Sequence, residues 1–304
     1  MPNPEQFTKV SQGQGFIAAL DQSGGSTPKA LMNYGVDESA YSGEEEMFNK
    51  VHEMRTRIIK APAFAGGKIL GAILFEKTMD SQIDGKPTAA YLAENLGVAT
   101  FFKIDKGLAY IENGVQMMKP MPDLDALLEK AKANNIFGTK MRSAMHEPNA
   151  EPIAAIVAQQ FEIAKRVMSY GMVPIIEPEV DINAPQKAEC EELMVAEFIK
   201  HLDALDADQK VMLKLTLPEK AGLFADLIAH ENVARVVALS GGYSLEESCD
   251  RLSKNDGMIA SFSRALTNNL NASQSDEEFN AALQAAIDKI YGASVGGASA
   301  TAAA

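Results

Sequence analysis

The sequence predicts an α/β protein folded as a single (β/α)8 TIM barrel that occupies residues 1–291. Eight short runs rich in apolar and β-branched residues are each too short for an independent helix. Most of them are apolar on both faces, as strands of a buried parallel sheet are. Helical patterns alternate with these runs, which implies right-handed parallel crossovers. Eight such units in roughly 250 residues match the number and size of this barrel.

The predicted strands follow one another without a linker rich in Pro, Gly or Ser, so we expect one domain. In chain order they cover residues 16–20, 68–75, 98–104, 136–140, 172–176, 211–217, 233–239 and 258–262. The last stretch, 292–304, contains only Gly, Ala, Ser, Thr and one Val. This composition predicts a flexible, low-complexity tail.

Helix starts between the strands are indicated by capping signals. Three pairs of Ser and Glu at a spacing of three precede apolar stripes and predict capping boxes. Pro152 opens a further helical pattern between the fourth and fifth strands. The three capping pairs are Ser42 with Glu45, Ser244 with Glu247, and Ser275 with Glu278.

Composition excludes several classes of partner. The formal net charge of -13 repels nucleic acid and anionic membranes, and no stretch reaches the ~18 apolar residues of a membrane span. Two distant cysteines, Cys190 and Cys249, form neither a disulfide framework nor a zinc motif, and they fit a reducing cytoplasm. Four scattered histidines argue against a metal site, so we expect no metal and no other cofactor.

Charged residues interrupt the predicted strands, mostly in pairs spaced by two, which places both members on one strand face. Near the carboxyl ends of barrel strands, four positive and four negative side chains indicate a catalytic mouth. For a single pair, a solvated rim of salt bridges is the more ordinary interpretation. A cluster from four or five strands favours the active site. Its members are Asp21, Lys103, Asp105, Lys140, Arg142, Glu177, Glu179 and Lys214.

Lys214 stands alone within the apolar sequence V-M-L-K-L-T-L. Its neighbours Leu213 and Leu215 face the helices, so Lys214 must face the barrel interior. Near other cations such as Lys140 and beside apolar walls, the charged form of a lysine is destabilised. A neutral amine can condense with a carbonyl, and the resulting iminium permits carbon–carbon cleavage. Glu177 is a candidate acid/base for this condensation.

Two glycine-rich loops are candidate phosphate sites. In L-S-G-G-Y-S (239–244) we expect Gly241 and Gly242 to present backbone N–H groups beside a helix capped by Ser244. Arg264, after the eighth strand, could bind the same phosphate. The first strand ends in D-Q-S-G-G-S, where Ser23, Gly24, Gly25 and Ser26 form either a second anion site with Lys103 or an ordinary loop. Two sites predict a bisphosphorylated sugar.

These motifs resemble those of the Schiff-base (class I) fructose-bisphosphate aldolases. L-D-Q-S-G-G-S-T-P-K, K-I-D-K-G, T-K-M-R, V-P-I-I-E-P-E, L-K-L, L-S-G-G-Y-S and S-F-S-R-A-L occur in the family's order between residues 16 and 266. The short length resembles the bacterial branch. The resemblance implies metal-free, reversible cleavage of fructose 1,6-bisphosphate to dihydroxyacetone phosphate and glyceraldehyde 3-phosphate.

By this resemblance, Lys214 forms the Schiff base and Glu177 is its acid/base, with Glu179 and Lys140 in support. Asp21 takes the proton from the C4 hydroxyl. Ser240, Gly241, Gly242, Ser261 and Arg264 belong to one phosphate-binding region. Ser23, Ser26 and Lys103 face the other phosphate, with Arg142 nearby. Relatives occur as tetramers and as monomers, so a homo-oligomer is left open.

The sequence also departs from the vertebrate members of this family. Ala30 stands where they carry a substrate-contacting arginine, Gln22 replaces a glutamate and Met141 replaces a tryptophan. Their C-terminal tyrosine has no counterpart here, because the last tyrosine is Tyr291. Three alternatives stay open at this point: another Schiff-base barrel such as a transaldolase or deoxyribose-phosphate aldolase, a sugar-phosphate sensor without catalysis, and a metal-dependent aldolase.

Overall fold

The structure, a computed structural model, describes residues 2–23 and 27–296. Within them, eight parallel strands form a sheet in which each strand pairs with the next in chain order. Ala19 N–H donates to Phe262 O at 3.2 Å, so the chain after the last strand meets the first and the barrel is nearly closed. The predicted (β/α)8 barrel is confirmed. The strands are β1 (Phe16–Leu20), β2 (Ile69–Leu74), β3 (Ala99–Lys103), β4 (Gly138–Met145), β5 (Val173–Val180), β6 (Val211–Thr216), β7 (Val233–Leu239) and β8 (Met258–Ala260).

Helices surround the strands and follow most of them in sequence. Short antiparallel pairings add to the barrel between residues 82 and 87, and Val115–Gln116 pairs with the end of β4. The helices are α1 (Pro4–Gln12), α2 (Thr27–Asn33), α3 (Gly43–Lys60), α4 (Glu76–Asp80), α5 (Thr88–Ala90), α6 (Leu124–Ala133), α7 (Ala150–Ser169), α8 (Lys187–Leu202), α9 (Ala225–Ala229), α10 (Leu245–Leu252), α11 (Arg264–Thr267) and α12 (Asp276–Val295).

The apolar core has two parts. A large outer layer packs between strands and helices, and a smaller cluster with Ile17, Phe101 and Met212 fills the lower interior of the barrel. Val10 of α1 joins this inner cluster, so α1 lies against the amino-terminal end of the barrel. The polar site is therefore restricted to the opposite, carboxyl end of the strands.

Strands β4 and β5 extend further than their apolar runs predict. The predicted ends were residues 140 and 176, whereas the ladder between the two strands continues to the pair Met145 and Val180. The added residues include Arg142, Glu177 and Glu179, whose polar side chains end the apolar signal while the backbone pairing continues. Hydrogen bonding between strands, which composition does not reveal, sets these ends.

One of the three predicted capping boxes is complete. Ser275 and Glu278 exchange both hydrogen bonds at the start of α12. At α10 the Ser244 hydroxyl accepts from Glu247 N–H, while the Glu247 carboxylate binds Arg251 instead. The box predicted from Ser42 and Glu45 is wrong, because the Ser42 N–H donates to the carboxylate of Glu46 and the Ser42 side chain caps nothing.

The predicted tail boundary at residue 292 also needs correction. Helix α12 continues to Val295, and Ser294 Oγ accepts a hydrogen bond from Ala260 N–H of β8 at 3.0 Å. This contact holds the last helical turn against the barrel. Residues 297–304 of the predicted tail lie outside the described residues. In the described part of the chain, no helix is long and apolar enough to cross a bilayer.

Gly138, at the start of β4, tests how closely the barrel is packed. A Cβ built there would collide with Val173 O and would lie 2.7 Å from the Phe101 ring. We expect Gly138→Ala to destabilise the protein by roughly 1–3 kcal/mol through overpacking. Gly292→Ala is the control, since Gly292 is helical with open space around it and alanine should stabilise it by up to about 1 kcal/mol. Thermal unfolding midpoints measure both, and a neutral Gly138→Ala would contradict the close packing.

Candidate active site

A cavity of ≈ 420 Å³ opens at the carboxyl ends of the strands. All eight charged residues of the predicted mouth line it. Asp21 follows β1, Lys103 ends β3 and Lys214 lies within β6, so residues far apart in sequence meet because parallel strands end at one edge. The structure thus brings the predicted cluster together.

Four buried charges form a chain of ion pairs across the centre of the mouth. Lys214 Nζ lies 3.0 Å from Glu177 Oε1, and Lys140 Nζ lies 2.8 Å from Glu177 Oε2. Lys140 Nζ also lies 2.6 Å from Asp21 Oδ2. The Lys140 contact with Glu177 is not aligned as a hydrogen bond, which leaves Glu177 Oε2 with unused accepting capacity. Glu177 therefore lies between Lys214 and Lys140 and contacts both amines.

Within this chain of ion pairs, attraction between opposite charges together changes the pKa values of Asp21 and Lys140 more than burial does. Burial opposes ionisation of Asp21, but Lys140, Lys214 and Lys103 together lower its pKa well below the ordinary 3.8. Burial likewise disfavours charged Lys140, but Asp21 and Glu177 raise its pKa above the ordinary value. Asp21 and Lys140 are therefore both charged near neutral pH.

The remaining predicted charges pair at the edge of the chain of ion pairs. Lys103 Nζ lies 2.6 Å from Asp105 Oδ1, and Arg142 Nε lies 2.5 Å from Glu179 Oε2. Asp105 also accepts hydrogen bonds from the N–H groups of Arg142 and Gly107. Asp105 therefore joins the ends of β3 and β4, and Lys103 is already engaged before any ligand arrives.

Uncharged polar residues fix the backbone beneath these side chains, and the sequence did not single them out. Gln160 of α7 is buried, accepts from Glu177 N–H at 2.9 Å and donates to Ser143 Oγ at 2.6 Å. Thr216 Oγ1 exchanges hydrogen bonds with the N–H and C=O of Val180, where the ladder between β5 and β6 has ended. The sequence signal that could have identified Gln160 is the position of a glutamine on the apolar stripe of α7.

The loop after β7 has the predicted conformation but a different hydrogen-bond pattern. Gly241 has φ +60° and Gly242 φ +131°, which glycine adopts readily. The Gly242 N–H, predicted to face a phosphate, donates instead to Ser240 O at 2.7 Å and closes the turn. The Arg264 guanidinium lies beside this loop, because a Cβ at Gly242 would lie 3.4 Å from Arg264 Nη2. Ser240, Gly241 and Arg264 line the cavity.

Ser261 and Ser23 belong to different predicted phosphate sites, and both line the cavity. Ser261 is buried, lines the cavity, and its Oγ has no hydrogen-bond partner among the described residues. Ser23 also lines the cavity, whereas Gly24, Gly25 and Ser26 lie outside the described residues. Lys29, which the sequence analysis overlooked, lines the same cavity from α2, one helical turn after this loop.

The cavity lining carries more positive than negative charge. Six basic side chains face four acidic ones, an excess of two positive charges in a chain whose net charge is -13. Within residues 2–23 and 27–296, no group of three or more His, Cys, Asp or Glu side chains is placed to hold a metal ion. The arrangement provides amines, carboxylates and cations for an anionic, carbonyl-bearing ligand.

Comparison with known proteins shows the family and the fold of the chain. The family model described as fructose-bisphosphate aldolase class-I matches residues 6–221. The solved fructose-bisphosphate aldolase from Plasmodium falciparum, in complex with TRAP and a small molecule inhibitor, superposes with a TM-score of 0.77 and 20% identity, covering 96% of this chain and 94% of that chain. A mandelate oxidase mutant reaches a TM-score of only 0.40 at 10% identity, over 79% and 68% of the two chains, and supports no argument.

The fold and site define a (β/α)8 barrel with a buried strand lysine in contact with a buried carboxylate. Together with the family match over more than half of its length, this assigns the chain to the class-I fructose-bisphosphate aldolases, and it is a lyase. The class works through a Schiff base between enzyme and substrate.

Lys140 tests the chain of ion pairs. Replacing it by Met leaves Asp21 and Glu177 buried without their shared cation, and we expect a loss of about 3–5 kcal/mol at pH 7. The native pKa of Asp21 is depressed, so its ionic contribution is present above the ordinary 3.8 and is lost as pH falls. The difference between wild type and Lys140→Met should therefore stay nearly constant from pH 7 to about pH 4 and shrink as the pH falls below the ordinary 3.8.

Urea unfolding at pH 7 and at about pH 2.5, below the ordinary pKa of an aspartate, measures this difference. Lys60→Met is the control, because Lys60 forms an exposed pair with Asp84 and should change stability little at either pH. A loss for Lys140→Met that is the same at both pH values would contradict the assigned pairing.

Proposed function

We propose that Lys214 is the Schiff-base lysine of this aldolase and that the reaction proceeds without a metal ion. The observation that carries the proposal is the contact of its buried amine, 3.0 Å from Glu177 Oε1, at the carboxyl end of the barrel. A carboxylate at this distance can accept the proton that the amine must lose before it attacks a ketone.

Glu177 then serves as the acid/base in both directions. The Lys214 amine attacks C2 of the sugar, and Glu177 returns a proton to the hydroxyl of the carbinolamine, which leaves as water. The product is an iminium. Lys140 stays charged beside Glu177, 2.8 Å from its Oε2, while Glu179, on the same face of β5, pairs with Arg142 and keeps that cation at the rim.

Asp21 is the proposed base for cleavage. It takes the proton of the C4 hydroxyl, the C3–C4 bond breaks, and its electron pair moves into the iminium to give an enamine and glyceraldehyde 3-phosphate. Protonation at C3 and hydrolysis then release dihydroxyacetone phosphate and free Lys214. Because the pKa of Asp21 is depressed, it is a weak base, and we expect proton transfer to accompany bond cleavage.

The two phosphates are proposed to bind at opposite sides of the cavity. Ser240, Gly241, Ser261 and Arg264 line one side, and the free buried hydroxyl of Ser261 supports this assignment. Ser23 and Lys103 line the other, with Arg142 nearby, and Ser26, which the sequence assigns to the same phosphate, lies outside the described residues. Lys29 adds a cation to the cavity lining.

We also propose the extent of the catalytic domain, the branch of the family and the cellular location. The catalytic domain comprises the predicted residues 1–291 together with the last turn of α12. The short loops favour the bacterial branch of the family. Two buried, unpaired cysteines, Cys190 and Cys249, fit a cytoplasmic enzyme.

Borohydride trapping tests the role of Lys214. Reduction in the presence of dihydroxyacetone phosphate should attach the triose to this side chain and inactivate the enzyme. Peptide mass spectrometry locates the adduct, and Lys214→Met should give none. An adduct on Lys140 or Lys103 would overturn the assignment. Comparison of fructose 1,6-bisphosphate with fructose 1-phosphate and deoxyribose 5-phosphate tests the substrate, and a preference for the last would favour a different aldolase.

Glu177→Gln tests the acid/base. It preserves shape but cannot exchange a proton, so kcat should fall roughly 10²–10⁴-fold while the barrel remains folded. Trapping with dihydroxyacetone phosphate should slow as well, because dehydration of the carbinolamine needs the same proton. Glu191→Gln is the matched control, since Glu191 is equally buried against Lys187 outside the cavity. Unchanged turnover in Glu177→Gln would refute the assigned role.

A further inference from the structure

Arg55 is a buried cation that the reaction described above does not use. It lies on α3 and is 1% exposed. Among the described residues, no carboxylate lies within 4.0 Å of its guanidinium. A buried charge without a contacting counter-ion is costly, and an apolar side chain of similar volume would pack there more cheaply. Its presence therefore calls for a reason other than stability.

The guanidinium clamps the chain immediately after Asp21. Arg55 Nη2 donates to Gln22 O at 2.6 Å, and Nη1 donates to Thr78 Oγ1 of α4 at 2.5 Å. On its other side, the Gln22 side chain donates to Ser263 Oγ at 2.5 Å. The residue that follows Asp21 is thus fixed both to the segment after β2 and to the segment after β8.

Arg55 and Asp21 also interact through space. Burial lowers the pKa of Arg55 to about 10, and the charge of Asp21 opposes this shift. The guanidinium is still charged near neutral pH. It therefore contributes a positive potential at Asp21 in addition to that of the contacting Lys140.

We propose that Arg55 is a positioning residue for Asp21, which it serves by holding the Gln22 carbonyl and so fixing where the Asp21 carboxylate meets the C4 hydroxyl. This proposal rests on the base role assigned to Asp21 above. The proposal predicts different effects of Arg55 on two steps of the reaction. Cleavage requires Asp21 in place, whereas formation of the Schiff base with dihydroxyacetone phosphate requires Lys214 and Glu177 only.

The experiment compares Arg55→Met and Arg55→Lys with wild type in two assays. In Arg55→Met, kcat for cleavage of fructose 1,6-bisphosphate should fall roughly 10–100-fold, since a displacement of about 1 Å at a reacting group costs up to ~10²-fold. KM and the rate of borohydride trapping with dihydroxyacetone phosphate should stay within about three-fold of wild type. Arg55→Lys keeps the charge and should recover part of kcat.

Arg235→Met is the matched control. Arg235 is half-buried where Arg55 is fully buried, but its guanidinium likewise donates to backbone carbonyls, those of Val10 and Gly13, at the opposite end of the barrel. This variant should lower the unfolding midpoint but leave kcat per folded molecule and trapping unchanged. If Arg55→Met does not fold, Arg55→Lys should show the same split between cleavage and trapping at smaller size.

Two results would overturn the proposal. One is a kcat within two-fold of wild type in folded Arg55→Met. The other is an equal loss of kcat and trapping, which indicates general distortion of the mouth. If wild type itself fails to trap at Lys214, the proposed function fails, and that result is separate because it appears before any Arg55 variant is compared.

Discussion

The position of Glu177 between Lys214 and Lys140 is the interaction on which the site depends. One carboxylate contacts both amines, and Lys140 in turn contacts Asp21, so four side chains from β1, β4, β5 and β6 have mutually dependent positions and charges. Burying any one of these ions alone would cost free energy. The chain of ion pairs lowers that cost, but the paired ions still stabilise the fold no more than an apolar core would. Such a cluster is therefore better explained by chemistry than by stability.

The barrel lowers the free-energy cost of this cluster because the polar part of its interior is separate from the apolar part. Below the mouth the interior is filled by side chains such as Phe101 and Met212, while the charged layer sits where strands end and water can enter. At these ends the sheet no longer provides a hydrogen-bond partner for every backbone N–H and C=O group. Polar side chains provide the missing partners. Gln160 holds the Glu177 amide, Thr216 holds Val180, and Asp105 holds the Arg142 amide.

The sequence predicted the strands well because parallel barrel strands are apolar on both faces, and it predicted the mouth because charges spaced by two stand out against that background. It could not show contacts. The Gly242 N–H closes a turn, Ser42 caps nothing, and α12 passes Gly292, since each outcome depends on a partner distant in space or on local backbone geometry. Arg55 was overlooked although it falls four residues after Val51, on the buried stripe of α3.

Charge distribution connects the cavity to its ligand. An acidic chain repels a doubly phosphorylated sugar at long range, yet the cavity lining has two positive charges in excess. Beyond a Debye length of about 8 Å at physiological ionic strength the surface charge is screened, so a ligand near the mouth responds mainly to the cavity. Arg264 and Lys29 lie in the lining without forming any of the ion pairs found among the described residues, whereas the deeper lysines are held by carboxylates. The outer cations are therefore not neutralised by a contacting carboxylate, whereas each deeper lysine is, so the excess positive charge of the lining lies at its outer part.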